Sequence, residues 1–256
     1  MNLSANILKT FPPVDEAAVD ELLKKEIEQN GQKIVVLDDD PTGVQTVHDI
    51  SVYTDWSEES ILAGFRETNK VFYILTNSRG MTANETTQVH KDIALRVAKA
   101  ARETGIDYMI MSRSDSTLRG HYPLEPCLLR EGMEADGHRI DGEVMCPFFK
   151  EGGRFTIDNV HYVRQGDVLV PAAETEFAKD RTFGYSHSSL PEYIEEKTQG
   201  EYKADSVTCI SLADLRNLIM KKSPPSWQLS VISTKSLSMR WITVTSRCSP
   251  LPSTER

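Results

Sequence analysis

The chain has 256 residues, 39% of them hydrophobic, enough to bury the core of one large α/β domain or two small ones. A formal charge of −9 speaks against a nucleic-acid partner, which calls for clustered Lys and Arg against phosphates. Cys127, Cys146, Cys209 and Cys248 form neither a C-x-x-C pair nor a cluster with His, so buried thiols are expected rather than a disulfide framework or a metal site.

Residues 1–32 read as a helical lead. Val19, Leu22, Leu23 and Ile27 recur on one helical face between Asp15 and Gln29, and Asn30-Gly31 is a stop. No apolar run approaches the length of a membrane span and the first residues lack a secretory pattern, so a cytoplasmic protein with no membrane partner is expected. Four apolar strands follow, at Lys33 to Leu37, Val71 to Leu75, Asp107 to Met111 and Glu143 to Cys146. Between the second and third, Val89, Ile93, Val97 and Ala101 share one face of a helix from Asn84 to Glu103. Thr82-x-x-Glu85 is a capping box at its start, and Gly105 ends it.

This alternation predicts an α/β fold with a mostly parallel sheet flanked by helices, Rossmann-like and three-layered. From Gly152 to Ala173 the runs RFTIDNVHYV and QGDVLVPA instead predict a small β-rich insertion. Ser189-x-x-Glu192, with Pro191 in the first turn, opens a helix to about Lys197. A strand at Val207 to Ile210 and a helix from Leu212 to about Met220 complete a domain over residues 33–220.

Residues 221–256 differ in texture: six Lys or Arg stand against one acid, Glu255, and nine serines and two of the three tryptophans fall there. No periodicity survives past Ile232. A disordered or aberrant basic tail is expected, as from a truncation or a shifted reading frame.

In an open parallel sheet, ligands bind beyond the carboxyl ends of the strands. The loops there are DDDPTG (38–43), TNSRG (76–80) and SRSDSTLRGH (112–121). Asp38, Asp39, Asp40 and Asp115 offer acceptors, Arg79, Arg113 and Arg119 offer forks of donors, and Thr42, Asn77, Ser114, Ser116 and Thr117 offer hydroxyl or amide groups. Such a set suits an anionic polyol: arginine pairs bidentately with a carboxylate or phosphate, and an aspartate accepts from a sugar hydroxyl and can remove its proton. Read singly, each loop is equally a solvated turn, and His48, His121 and His161 are read as ordinary structural or surface histidines.

The first loop admits two parses. Asp38, Asp40 and Thr42 form D-x-D-x-T behind an apolar strand, and Ile74-Leu75-Thr76-Asn77 follows, which resembles haloacid dehalogenase-type Mg-dependent phosphatases. That chemistry needs a later acidic motif, and Gly166-Asp167 lies in the β-rich insertion without the strand expected before it. The second parse uses every loop. LDDDPTGVQTVHD, YILTNSRG, SRSDSTLRGHYPLE, CPFFKEGGRFTIDNVHYV and TEFAKDRTFGY together resemble the N-terminal sugar-binding domain of four-carbon acid sugar kinases, the threonate and erythronate group.

That resemblance implies a substrate site of Asp39, Asp40, Arg79, Arg113, Ser114, Asp115, Ser116 and Arg119. Asp39, Asp40 or Asp115 would be the catalytic base, and Asp38 an additional acid. It implies a four-carbon aldonate as ligand, with ATP and Mg²⁺ held by a separate C-terminal domain; no G-x-x-x-x-G-K-[ST] loop and no metal ligand is assigned in these 256 residues. Accordingly the chain is expected to bind an acid sugar weakly and not to phosphorylate it unaided. A homo-oligomer is compatible with the sequence, as is a non-catalytic anion-binding module.

Overall fold

A computed structural model describes residues 1–11, 13, 15–44, 47–210 and 241–244, the last four by their backbone. At its centre lies a four-stranded, wholly parallel sheet. β2 (Lys33–Asp38) is flanked by β4 (Val71–Leu75) and β5 (Tyr108–Arg113), and β3 (Val52–Tyr53) extends the sheet beyond β4. Because β2 pairs on both sides, Val35, Val36 and Leu37 are buried together, as a near-continuous apolar run in a parallel sheet requires.

Three helices cover the face that carries Val35, Leu37, Phe72 and Ile74. They are α2 (Glu58–Arg66), α3 (Ala83–Thr104) and α4 (Leu124–Ala135), which contribute Ile61 and Phe65, Ile93 and Val97, and Leu129 and Met133 to one core. α3 starts and ends as its sequence dictates. The Thr82 side chain accepts from the Glu85 amide while Glu85 accepts from the Thr82 amide, and Gly105 closes the helix in the left-handed conformation at φ 67°. The lead helix, α1 (Glu16–Gln29), is capped by Asp15. Its apolar face is only half covered, with Ile27 48% exposed.

The β-rich insertion is an antiparallel sheet. β7 (Arg154–Ile157) and β8 (Val160–Gln165) form a hairpin across Asp158-Asn159, both at positive φ as a tight hairpin turn demands. β9 (Val168–Pro171) follows, and β1 (Leu3–Ser4) pairs on its outer edge, so the first residues of the lead belong to this second sheet. α5 (Leu190–Lys197) packs Leu190, Tyr193 and Ile194 beside Val163 and Leu118, joining the insertion to the loop after β5.

Several expectations are corrected. β6 (Glu143–Met145) does not continue the parallel sheet; it pairs antiparallel with β11 (Trp241–Val244), which pairs in turn with β10 (Thr208–Ile210). The physical sign is Val144, 41% exposed, where a strand buried on both faces would hide it. β11 also shows that Trp-Ile-Thr-Val, a β-branched run within the segment expected to be structureless, forms a strand. The helix expected from Leu212 to about Met220 lies outside the described residues, as does the rest of the tail.

Ser189 sits at the N-cap of α5 without making the expected capping box. Its backbone is engaged in a bridge to Val160, and the Leu190 amide donates to Asn159. Cys127, Cys146 and Cys209 are half-buried as residues, and burial pushes the pKa of the Cys146 thiol up to about 11; Cys248 lies outside the described residues. No helix among them is long and apolar enough to cross a membrane.

Gly64 of α2 faces the ring of Phe72, where a Cβ would approach ring carbons to 2.7 Å. Gly64→Ala is therefore expected to cost about 1–3 kcal/mol through overpacking, read as a lowered urea midpoint. An unchanged midpoint would show that the α2–sheet contact yields.

Candidate functional site

The carboxyl ends of β2, β4 and β5 lie side by side: Asp38 is in register with Leu75 on one flank and Arg113 on the other. The loops they feed are tied by backbone bonds. The Asp39 amide donates to the Arg113 carbonyl, the Thr76 amide to the Asp38 carbonyl and the Arg79 amide to the Asp39 carbonyl. Asn77, left-handed at φ 56°, turns the chain into a single helical turn that brings Arg79 back over the first loop.

Asp39 is the hub. Arg79 forks onto it, Nη2 to Oδ1 at 2.8 Å and Nε to Oδ2 at 3.1 Å, while Ser114 Oγ lies 2.9 Å from Oδ2. The carboxylate is 2% exposed, and burial raises its pKa against the pull of the Arg79 and Ser114 bonds. Arg79 also reaches Asp40, Nη1 to Oδ2 at 3.0 Å. All three of its nitrogens are thus committed to aspartates.

Asp40 is the accessible acid, its side chain 24% exposed, with Oδ1 accepting from the Thr42 amide at 2.7 Å. Partial burial would raise its pKa, but the Thr42 bonds and the charges of Arg79 and Arg113 outweigh it and lower the value. Asp115 behaves likewise. Burial is outweighed by Arg119 Nε, 2.6 Å from Oδ2, by Thr117 Oγ1 on the same oxygen, and by the charge of Arg79.

Asp38 stands behind these groups. It is fully buried, with Oδ1 accepting from Arg113 Nη1 at 3.2 Å; Oδ2 has no hydrogen-bond partner and lies where a Cβ on Gly43 would sit. Burial pushes its pKa up to about 6, opposed by Arg113 and reinforced by Asp39. A nucleophile for phosphoryl transfer must reach the phosphorus, and this carboxylate is sealed under Gly43. The geometry does not suit the phosphatase parse.

The loop after β5 is held from the insertion side. His161 Nε2 lies 2.7 Å from the Ser116 carbonyl, Tyr185 donates to the Thr117 carbonyl at 2.8 Å and Tyr193 to the Leu118 carbonyl at 3.1 Å. Since a carbonyl only accepts, His161 carries its proton on Nε2, and Nδ1 accepts from Thr156 Oγ1 at 2.9 Å. Burial lowers its pKa to about 4, so it stays neutral. Gly120, at φ 153°, leaves room for Ser114 Oγ, which a Cβ there would overlap.

Behind the second and third loops a buried cluster does similar work. Glu125 of α4 accepts from Ser78 Oγ at 2.6 Å and from Ser112 Oγ at 3.3 Å, with His90 Nε2 3.7 Å away. His121 Nε2 lies 3.1 Å from the Ser78 carbonyl and 3.0 Å from that of Met81. His48, by contrast, is at the surface beside Asp49.

All eight residues expected at the substrate site therefore fall on adjacent strand ends. Asp39, Asp40, Arg79, Arg113 and Ser114 form one connected group, Asp115 and Arg119 a second, and Ser116 enters through its carbonyl. Sequence reasoning did not single out His161, Tyr185, Tyr193, Arg154 or Phe177 for roles at the site. The Cζ atoms of Arg119 and Arg154 lie 5.0 Å and 5.5 Å from the centroid of the Phe177 ring. No signal in the local sequence tells which strand residue of an insertion returns to a distant loop.

The sugar-binding N-terminal domain family matches residues 34–222. That span takes in all three loops, the insertion and α5. The chain belongs to this family, the sugar-binding N-terminal domain of the four-carbon acid sugar kinases. No curated protein matches the chain. Among solved structures, a domain of unknown function from Bordetella bronchiseptica, described with bound citrate as a domain-swapped dimer, is 24% identical with a TM-score of 0.46. The match covers 63% of this chain and 39% of that one, so the present chain corresponds to well under half of that protein.

Among the described residues no group of three or more His, Cys, Asp or Glu is arranged to hold a metal ion. Both oxygens of Asp39 and Oδ2 of Asp40 are turned onto Arg79, and Asp40 Oδ1 accepts from the Thr42 amide, so these carboxylates do not fit Mg²⁺ as a resident ion.

Asp38 makes the stability of the domain pH-dependent in a stated sense. A folded-state pKa near 6, above the usual carboxylate range, means that the folded state holds the proton more tightly than the unfolded one. Stability due to this group is full below about pH 4 and is lost as pH rises through about 6, on the order of 3 kcal/mol. Urea midpoints of Asp38→Asn are expected to lack this decline between pH 4 and 6. Parallel wild-type and variant profiles would contradict it.

Proposed function

We propose that this domain holds a four-carbon aldonate for an ATP-dependent kinase, the whole protein transferring a phosphoryl group to a hydroxyl of the acid sugar. The observation that carries the reading is the division of labour among the charged groups. Arg79 is spent on Asp39 and Asp40, which fixes the two acids. Arg113 donates through Nη1 alone and Arg119 through Nε alone among the described residues. Arginine donors left over beside a half-exposed carboxylate are complementary to a molecule with a carboxylate at one end and hydroxyls along its length.

In this reading Asp40 accepts from the hydroxyl that becomes the nucleophile. Its lowered pKa suits orientation of the hydroxyl and acceptance of the proton late, as the new oxygen–phosphorus bond forms and the bond to the nucleotide breaks. Asp39 holds Arg79 and Ser114 in place, and Asp115 does the same for Arg119. Asp39 and Asp115 are thus positioning groups here, and Asp40 is the residue in contact with substrate. The nucleotide comes from the rest of the whole protein.

Calorimetric titration tests the reading on the purified chain. Threonate or erythronate is expected to bind measurably, and the neutral polyol of the same length at least about tenfold more weakly, since charge-assisted bonds contribute about 1.5–3 kcal/mol. Asp40→Asn is expected to weaken both ligands. Equal affinity for acid and polyol, or an Asp40→Asn variant that binds as the wild type does, would overturn the assignment.

A further inference from the structure

Arg154 is a cation without an obvious counter-charge. It opens β7, is half-buried, and among the described residues makes no ion pair; its Nη1 donates to the Gly152 carbonyl, and its Nε is buried with no hydrogen-bond partner among them. His161 is neutral, and its pKa is pushed further down by the charge of Arg154. The same Phe177 ring carries Arg119 as well, so the two guanidinium carbons are no farther apart than the sum of their distances to its centre. Arg119 has Asp115 on its Nε, and its Nη groups make no hydrogen bond among the described residues. Two positive groups share one ring, and the acids that act on the pair, Asp115 by contact and Asp180 by charge, both act on Arg119; burial penalises such an arrangement unless an anion joins it.

We propose that Arg154 and Arg119, spaced by Phe177, form the carboxylate-binding end of the site, so that the β-rich insertion supplies the selectivity for acids over neutral sugars. This rests on the acid-sugar reading above and assigns its anionic end to Arg119 and the insertion rather than to Arg113. The hydroxyl-binding end is then Asp40, across Arg79 and Asp39. Contact with the Phe177 ring restrains each guanidinium plane, as two-point recognition of a carboxylate needs.

The test is titration calorimetry with wild type, Arg154→Gln and Phe177→Leu against threonate or erythronate, the neutral four-carbon polyol, and inorganic phosphate, alongside thermal unfolding. Arg154→Gln is expected to weaken the aldonate by on the order of tenfold to a hundredfold while polyol binding is unchanged. Its midpoint without ligand is expected to hold or rise, because an uncompensated charge is removed; a purely structural arginine would lower it. Should Arg154→Gln not fold, Phe177→Leu is expected to show the same selective loss. If the wild type binds the aldonate and the variants match it, the Arg154 assignment fails and the acid-sugar reading stands. If the wild type binds no aldonate, the acid-sugar reading fails. Phosphate bound by the wild type and lost in Arg154→Gln would then uphold the anion site, and phosphate unbound or unaffected would overturn it.

Discussion

A carboxylate at the end of the central strand cannot be left in the protein interior uncompensated, and the way Asp39 is compensated organises this molecule. Arg79 arrives from the end of β4 and Ser114 from the end of β5, so one buried acid gathers three strand ends. Removing one partner of such a pair typically costs about 3–5 kcal/mol, because the other charge remains buried. That penalty fixes the loops relative to each other. Asp40 and Arg113, which flank the pair, inherit a set position from it.

The second constraint comes from the insertion. A loop whose backbone turns sharply, with Leu118 at φ 66°, would be expected to wander. Here three successive carbonyls are each taken by a buried donor, and Leu118 itself sits in the second core with Val163 and Tyr193. The parallel sheet therefore provides the acids and the first arginines, while His161 of the antiparallel sheet, Tyr185, and Tyr193 of α5 hold the loop that bears Asp115 and Arg119. On the sheet side, Glu125 ties Ser78 and Ser112, one residue before Arg79 and Arg113 respectively. Polar networks of this kind, once satisfied, make a site rigid before any ligand arrives.

Much of this was legible in the sequence where a local rule operates. The three parallel strands, the α3 capping box and the β-rich texture of residues 152–173 follow from periodicity and turn chemistry, and the strand-end rule points to the loops. α2 and α4 were passed over although their signals exist: Ser57 caps Glu58-Glu59, and Leu124, Leu128, Leu129 and Met133 mark one helical face. β6 joins another sheet because a short run such as Glu143 to Cys146 does not say which edge it will pair with. The pairing of charges was not legible at all. That Arg79 is spent on two aspartates, that Arg113 reaches Asp38, and that Arg154 returns to Phe177 depend on contacts between residues 39 to 75 positions apart or on folding of a separate sheet.

We propose that these strand ends and the insertion form one site that reads an acid sugar from both ends, and a crystal structure of the chain with threonate or erythronate tests this most directly. A hydroxyl is expected on Asp40 and the carboxylate between Arg119 and Arg154, with the Asp39–Arg79 fork unbroken. A ligand bound away from these loops, or one whose carboxylate displaces Asp39 from Arg79, would contradict it.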